Sequence, residues 1–303
     1  MEQLDLKYHK FKKKRIISQK RKEELCGYLF ILVPVLGFIM FTLTSLGYSL
    51  YMSFTDFNPI KGTFTFVGLN NYIEIFQEEN FKSALVNTII MLASIPVGVF
   101  IGLLLAIYLK RLAKNRTLLM IIYYLPAVTS SIAIMLVFRD LFKNNNGLIN
   151  SIFNLNLKWI ASDPYLIKIA IIIKNIWASI GGTMILYLAG LNNIPDSYYE
   201  ASRVQGASRW KQFVDITLPM SHPTTFYLLV TGIVGGLQSY ADSQVFGGGL
   251  PGARTIVYYI WQYGINQAKY GYASAASILL ALVILIITII LFKNSSIFKE
   301  SIK

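Results

Sequence analysis

Six apolar stretches punctuate the chain, at 25–50, 85–109, 118–138, 169–190, 226–241 and 273–292, with polar or basic residues between them. Crossing a hydrocarbon core about 30 Å thick takes about 20 helical residues at 1.5 Å each. The pattern therefore predicts six transmembrane helices. The first, second, third and sixth stretches hold no Asp, Glu, Lys or Arg. The fourth carries Lys174, about a turn and a half inside Lys168 and expected to reach the polar boundary by snorkelling. The fifth is short and rich in glycine (Gly232, Gly235, Gly236), a residue that lets neighbouring spans approach closely.

Basic residues orient the spans, because loops on the cytoplasmic side are enriched in Lys and Arg. Nine precede the first span: Lys7, Lys10, Lys12, Lys13, Lys14, Arg15, Lys20, Arg21 and Lys22. The loop 51–84 has Lys61 and Lys82 against Asp56, Glu74, Glu78 and Glu79, whereas 110–117 has Lys110, Arg111, Lys114 and Arg116 with no acid. Lys293, Lys299 and Lys303 follow the last span. The alternation predicts both termini in the cytoplasm. It divides the chain into a basic segment (1–24), a six-span domain (25–292) and a short tail (293–303), an all-α integral membrane fold.

Composition sharpens this picture mainly by exclusion. Of 303 residues, 54% are hydrophobic and 14% charged, against about a quarter charged in soluble domains. The net charge of +13 could suit nucleic acid, but basic residues directly before a span read as a topology signal and anionic-lipid contact. The first apolar run is too long for a cleaved signal core. One cysteine (Cys26) and two distant histidines (His9, His222) exclude a disulfide framework and leave little for a zinc centre. The span middles carry no acidic residue of the kind that proton- or sodium-driven carriers place at membrane depth. Asp242 is expected at the wet outer end of the fifth span. No phosphate-binding loop occurs. Gly247, Gly249 and Gly252 spell a literal G-x-G-x-x-G, but Pro251 interrupts it and no strand precedes it, so a dinucleotide site is not expected.

The segment 191–220 (LNNIPDSYYEASRVQGASRWKQFVDITLPM) is too polar to span. Pro195 and Asp196 open a helix, with Asp196 as N-cap. Gly206 breaks it and Ser208 caps a second helix. Trp210, Phe213, Val214 and Thr217 then fall at i, i+3, i+4 and i+7, and Pro219 ends that helix. A helical hairpin results, presenting Glu200, Arg203, Arg209, Lys211 and Asp215. On pattern alone it serves equally as an amphipathic element lying on the membrane or as a protein-docking knob.

Glu200, Ala201, Ser202 and Gly206, followed after nine residues by Ile216, Leu218 and Pro219, resemble the EAA loop of ABC importer permeases. Further segments resemble sugar-uptake permeases of the maltose and glycerol-phosphate type: VGLNNY (67–72), NT (87–88), YLPAVTSS (124–131), GLIN (147–150), IW (176–177), LAGLNNIP (188–195) and GYASAAS (271–277). The chain departs from the pattern with Ser202 in place of alanine, Gln205 where aspartate is common, and GGGLPGART at 247–255.

The resemblance implies a non-catalytic permease subunit of an ATP-driven importer of sugar, oligosaccharide above all, in a bacterial plasma membrane. The chain would pair with a second permease in a heterodimer, with a cytoplasmic ATPase dimer that holds ATP and Mg, and with an extracellular sugar-binding protein. It would bind no cofactor or nucleic acid itself. The hairpin would couple to the ATPase through Glu200, Ala201, Ser202, Arg203, Gly206, Ala207, Trp210 and Phe213. Sugars need hydrogen-bonding groups set in a mostly apolar wall. Asn175 and Ser179, on one face of span four with Gly182, and Gln238, Ser239, Tyr240 and Asp242 at the end of span five, are the candidates, although polar groups in spans also join helices to one another. A stand-alone carrier or channel for a small polar solute is the alternative.

Overall fold

A computed structural model describes residues 21–112, 116–160, 164–247 and 249–294. The basic positions from Lys7 to Lys20, together with Lys114, Lys299 and Lys303, lie outside the described residues. The described chain is helical, with only two isolated antiparallel bridges, Thr55 to Phe66 and Asn58 to Thr63. Four helices are long and apolar enough to cross a membrane: α1 (Arg21–Met52), the pair α3–α4 (Glu79–Arg111), α8 (Pro164–Asn192) and α13 (Tyr270–Lys293). Each contains one of the apolar stretches and extends it by a few residues at both ends. Within the second, α3 (Glu79–Met91) and α4 (Ser94–Arg111) meet at a short break just before Pro96, which has no N–H to give the preceding turn.

Two expected spans come out differently. The stretch 118–138 is not one rod: α5 (Arg116–Val128) and α6 (Ser131–Leu141) meet at a bend of 97°. The break falls at Ser130, whose extended backbone (ψ 126°) follows Pro126 within α5. Hydropathy averaged along the stretch is blind to such a turn, since Thr129, Ser130 and Ser131 interrupt the apolar run only briefly and carry no charge. The fifth stretch forms α11 (His222–Leu237), which begins four residues earlier than expected and ends at Gln238, ahead of Asp242.

Short elements fill the connections: α2 (Asn70–Gln77), α7 (Leu148–Ile152), α9 (Asp196–Val204), α10 (Arg209–Gln212) and α12 (Ile256–Trp261). Three buried clusters hold these elements together. One, around Phe142, Trp159, Ile171 and Phe246, joins α6 and α8 to the loop after α11. A second, around Leu103, Leu109, Tyr187 and Leu191, packs α4 against α8. These two helices approach closely at Gly102, where an added Cβ would sit 2.4 Å from Thr183 Cγ2, the small-residue seam that brings helices together in lipid. The third, around Ile75, Phe81, Ile256 and Tyr259, seats α12 among α2, α3 and α13.

Candidate functional site

The hairpin is built from local chemistry. Pro195 holds the N-cap position of α9 and offers no side-chain cap. Asp196 is therefore not the N-cap. It lies in the first helical turn, where its charge favours the helix N-terminus. The helix closes in a Schellman turn. Gly206 N–H donates to Arg203 C=O and Ala207 N–H to Ser202 C=O, both at 2.9 Å, with Gly206 at φ +77°. Ser208 caps α10 as expected, accepting from Lys211 N–H at 3.2 Å. Beyond Gln212 the chain passes through a π-helical turn (Phe213–Thr217) into Leu218–Met220. Pro219 does not end the helix. It sits in the first turn of that renewed segment, where a missing N–H costs little, and the chain turns at Ser221.

The π turn also splits the expected stripe. Trp210 and Val214 are exposed, whereas Phe213 is half-buried and Thr217 buried. Phe213 packs with Tyr199 and Ile216 on the α4–α8 core. Tyr199 OH and Thr217 Oγ1 share a hydrogen bond of 3.1 Å. Lys110, at the end of α4, donates to Leu191 C=O at 2.7 Å and lies over the Tyr199 ring. One face of the hairpin is thus fastened to two long helices. Glu200, Ala201, Arg203, Gly206 and Trp210 are exposed and Ser202 and Ala207 half-buried, with Glu200, Arg203 and Ala207 on the rim of a cavity shared with Lys110, Tyr199 and Phe213. Glu200 and Arg203 lie 4.0 Å apart, two-thirds exposed, a pairing worth little in water.

A second feature is a cavity of about 500 Å³ between α4, α8 and α11. Asn175, Ser179, Ser239 and Asp242 line it together, joined by Ser94, Thr183, Thr231 and Thr255, which sequence reasoning did not single out. Gln238 and Tyr240 do not line it: Gln238 is exposed, and Tyr240 stacks on Tyr258 and packs at a tilt against Trp261. Trp177 points elsewhere as well, packing on Phe138.

Two expectations about charge are overturned here. Asp242 is 5% exposed rather than wet, and Lys174 is 5% exposed rather than snorkelling. They form an ion pair through Lys174 Nζ and Asp242 Oδ1. Asn175 and Ser239 donate to Asp242 Oδ2 at 3.1 and 3.3 Å. A buried charge needs an opposite charge and hydrogen-bonding partners, and Asp242 has both in Lys174, Asn175 and Ser239.

The NT pair and the glycine-rich loop belong together. Asn87 donates to the carbonyls of Pro251 and Arg254 at 2.8 and 3.0 Å, and Thr88 Oγ1 accepts from Ile256 N–H at 3.0 Å. Around Gly252 the loop forms a single 3₁₀ turn, Pro251–Ala253. At the foot of α12, Glu78 receives the hydroxyls of Tyr259, Tyr263 and Tyr272, a cluster that the hydrophobic and charge pattern does not announce. Burial pushes Glu78 up, but the three hydroxyls outweigh it and hold the carboxyl below its usual range. Burial and the Glu78 carboxylate push Tyr263 up to about 12.

Residues 98–295 match the family described as binding-protein-dependent transport system inner membrane component. The arabinooligosaccharides transport system permease protein AraP of Bacillus subtilis is 34% identical over 90% of this chain and 89% of its own. The multiple sugar-binding transport system permease protein MsmF of Streptococcus mutans is 26% identical over 90% and 96%. Among solved structures, a bacterial alginate ABC transporter in complex with an alginate pentasaccharide-bound periplasmic protein superposes with a TM-score of 0.80. It shares 26% identity over 92% of this chain and 96% of the matched one.

Proposed function

The chain belongs to the binding-protein-dependent transport system inner membrane components, and from that premise we propose that it is one permease subunit of an ATP-driven carbohydrate importer. The hairpin is the observation that carries this reading: a knob fastened to α4 and α8 through Tyr199, Phe213 and Ile216, with Glu200, Arg203, Gly206 and Trp210 left exposed. Glu200, Ala201, Arg203, Gly206 and Trp210 meet a cytoplasmic ATPase subunit, and Phe213 transmits the contact inward. Movement of the knob tilts α4 and α8, because Tyr199, Phe213 and Ile216 share their core, and the cavity between these helices opens or closes with them.

Six spans are counted by adding the bent pair α5–α6 and the 16-residue α11 to the four long helices. Both termini lie in the cytoplasm on the alternation of basic loops. A second permease completes a heterodimer and a binding protein delivers solute from outside. ATP and Mg are held by the ATPase dimer, and this chain performs no covalent chemistry. The carbohydrate assignment draws support from the arabinooligosaccharide and alginate relatives and from the cavity's hydroxyl and amide groups.

The test is reconstitution in vesicles with the partner permease, ATPase and binding protein. Arabinooligosaccharide, first in a panel of oligosaccharides, is expected to stimulate ATP turnover and enter the vesicles. Solute uptake that follows an ion gradient and proceeds without the ATPase would refute the proposal in favour of a stand-alone carrier.

A further inference from the structure

Asp242 is the one ionisable group on the cavity lining among the described residues. Its two oxygens are engaged from different sides. Oδ2 accepts from Asn175 and Ser239, which line the cavity with it. Oδ1 accepts from Lys174, which does not line the cavity and stands behind the wall. Both charged side chains are more than nine-tenths buried. A carboxylate offers about four acceptor positions; Asn175 and Ser239 fill two on Oδ2 and Lys174 one on Oδ1, so the open position is on Oδ1.

We propose that the Lys174–Asp242 pair sets the charge selectivity of the translocation pathway, fitting it for uncharged carbohydrate and against uronic acids. The inference rests on the carbohydrate-importer reading and deepens it. With the carboxylate in front and the ammonium behind, the wall carries no net charge but turns the negative end of a dipole toward the cavity. Sugar hydroxyls, as donors, meet an acceptor there. A uronate carboxylate meets like charge in a setting where water screens poorly, so the repulsion is strong. A bare Asp242 would instead attract cations, and a bare Lys174 would attract the anions that the pair excludes. The selectivity therefore belongs to the pair and to its order, front and back.

Thiol labelling reads this directly in the assembled transporter in vesicles. Cys26 is the only cysteine, so a Cys26→Ser, Ser179→Cys background places one thiol on the cavity wall. Its reaction rates are measured with an anionic sulfonatoethyl and a cationic trimethylammonioethyl methanethiosulfonate. Asp242→Asn is expected to raise the anionic-to-cationic rate ratio about tenfold and Lys174→Met to lower it by a similar factor. The double variant, which removes the dipole along with both charges, is expected to lie between the two single variants and above the background ratio. Trigalacturonate should protect the thiol in Asp242→Asn and leave it unprotected in the background.

Should neither single variant accumulate in the membrane, the swapped pair Lys174→Asp with Asp242→Lys places the cation in front and should shift the ratio toward the anionic reagent. A reactive thiol whose ratio none of these variants moves overturns the charge-selectivity inference alone, as does equal protection by trigalacturonate in the background. A thiol inert to both reagents in every variant denies that the cavity is open to water, and the solute-pathway reading falls with the inference.

Discussion

Replacement of Gly206 separates what the hairpin needs for its own shape from what a partner demands of it. Gly206 lies at φ +77°, and a Cβ built there meets nothing within 4 Å. The cost of Gly206→Ala inside this chain is therefore purely conformational, about 1–2 kcal/mol for an L-residue in the left-handed region. That energy lowers the population of the correctly turned hairpin roughly 5–30-fold where another turn competes, and the apparent affinity for the ATPase falls by no more than that factor. Asn tolerates the left-handed region better than Ala, and Asp nearly as well, with a small penalty of about 0.3–1 kcal/mol for a negative charge at the end of α9. Chain geometry alone therefore ranks Asn as the mildest replacement. A partner surface closing over Gly206 ranks by size and charge, making Asn and Asp worse than Ala. We expect the second order, measured as ATPase co-purification and solute-stimulated ATP turnover, with unchanged accumulation of all three variants in the membrane. If Gly206→Asn couples better than Gly206→Ala, only the turn matters and no partner touches this glycine. Undiminished uptake by Gly206→Asp would remove the docking role altogether.

Two further perturbations test the packing around the site. At Gly181 an added Cβ would lie 2.1 Å from Tyr123 C=O and 2.8 Å from Tyr124 Cα, all backbone of α5, whereas at Gly182 it would meet nothing within 4 Å. Gly181→Ala is expected to cost about 1–3 kcal/mol and to lower the unfolding temperature of the purified complex, with Gly182→Ala within a few tenths of wild type; equal behaviour of the two would mean that α5 and α8 are farther apart than described. Glu78 titrates below its ordinary value of 4.5, so its contribution to stability is complete above that pH and is lost as pH falls through the lower, folded value. Glu78→Gln should flatten this acid limb of the unfolding temperature, and a variant that retains the wild-type slope would show that another group governs it.

How much of the site could be read from sequence depended on how far apart its parts lie along the chain. The hairpin turn was legible because its determinants are neighbours: Gly206 supplies the left-handed residue, and Ser208 reaches Lys211 N–H three positions on. Even there, the backbone meets the same need otherwise at two positions. Pro195 took the cap position ahead of Asp196, and a π-helical turn gave Pro219 a fresh helix start. The apolar periods located the long helices but carried no information about direction, so the 97° bend at Ser130 left no trace in them.

The structure departs furthest from the sequence pattern in its buried charges, and the cause is general to chains of this kind. Counted by position, Lys174 lies near one end of a span and Asp242 beyond the end of another, and each taken alone is best placed in water. They are 68 positions apart, yet α8 and the turn after α11 converge on them. Each makes the other's burial tolerable, and Asn175 and Ser239 fill the remaining carboxylate oxygen. A hydropathy window assigns every charged residue its own cost, although the cost that matters in a bundle is that of the pair. The same convergence explains why Asn175, Ser239 and Asp242 can be grouped from sequence as cavity candidates while the burial of Asp242 cannot be read there. Polar residues on an apolar helix announce themselves singly, but a neutralised charge is visible only once both halves are in place.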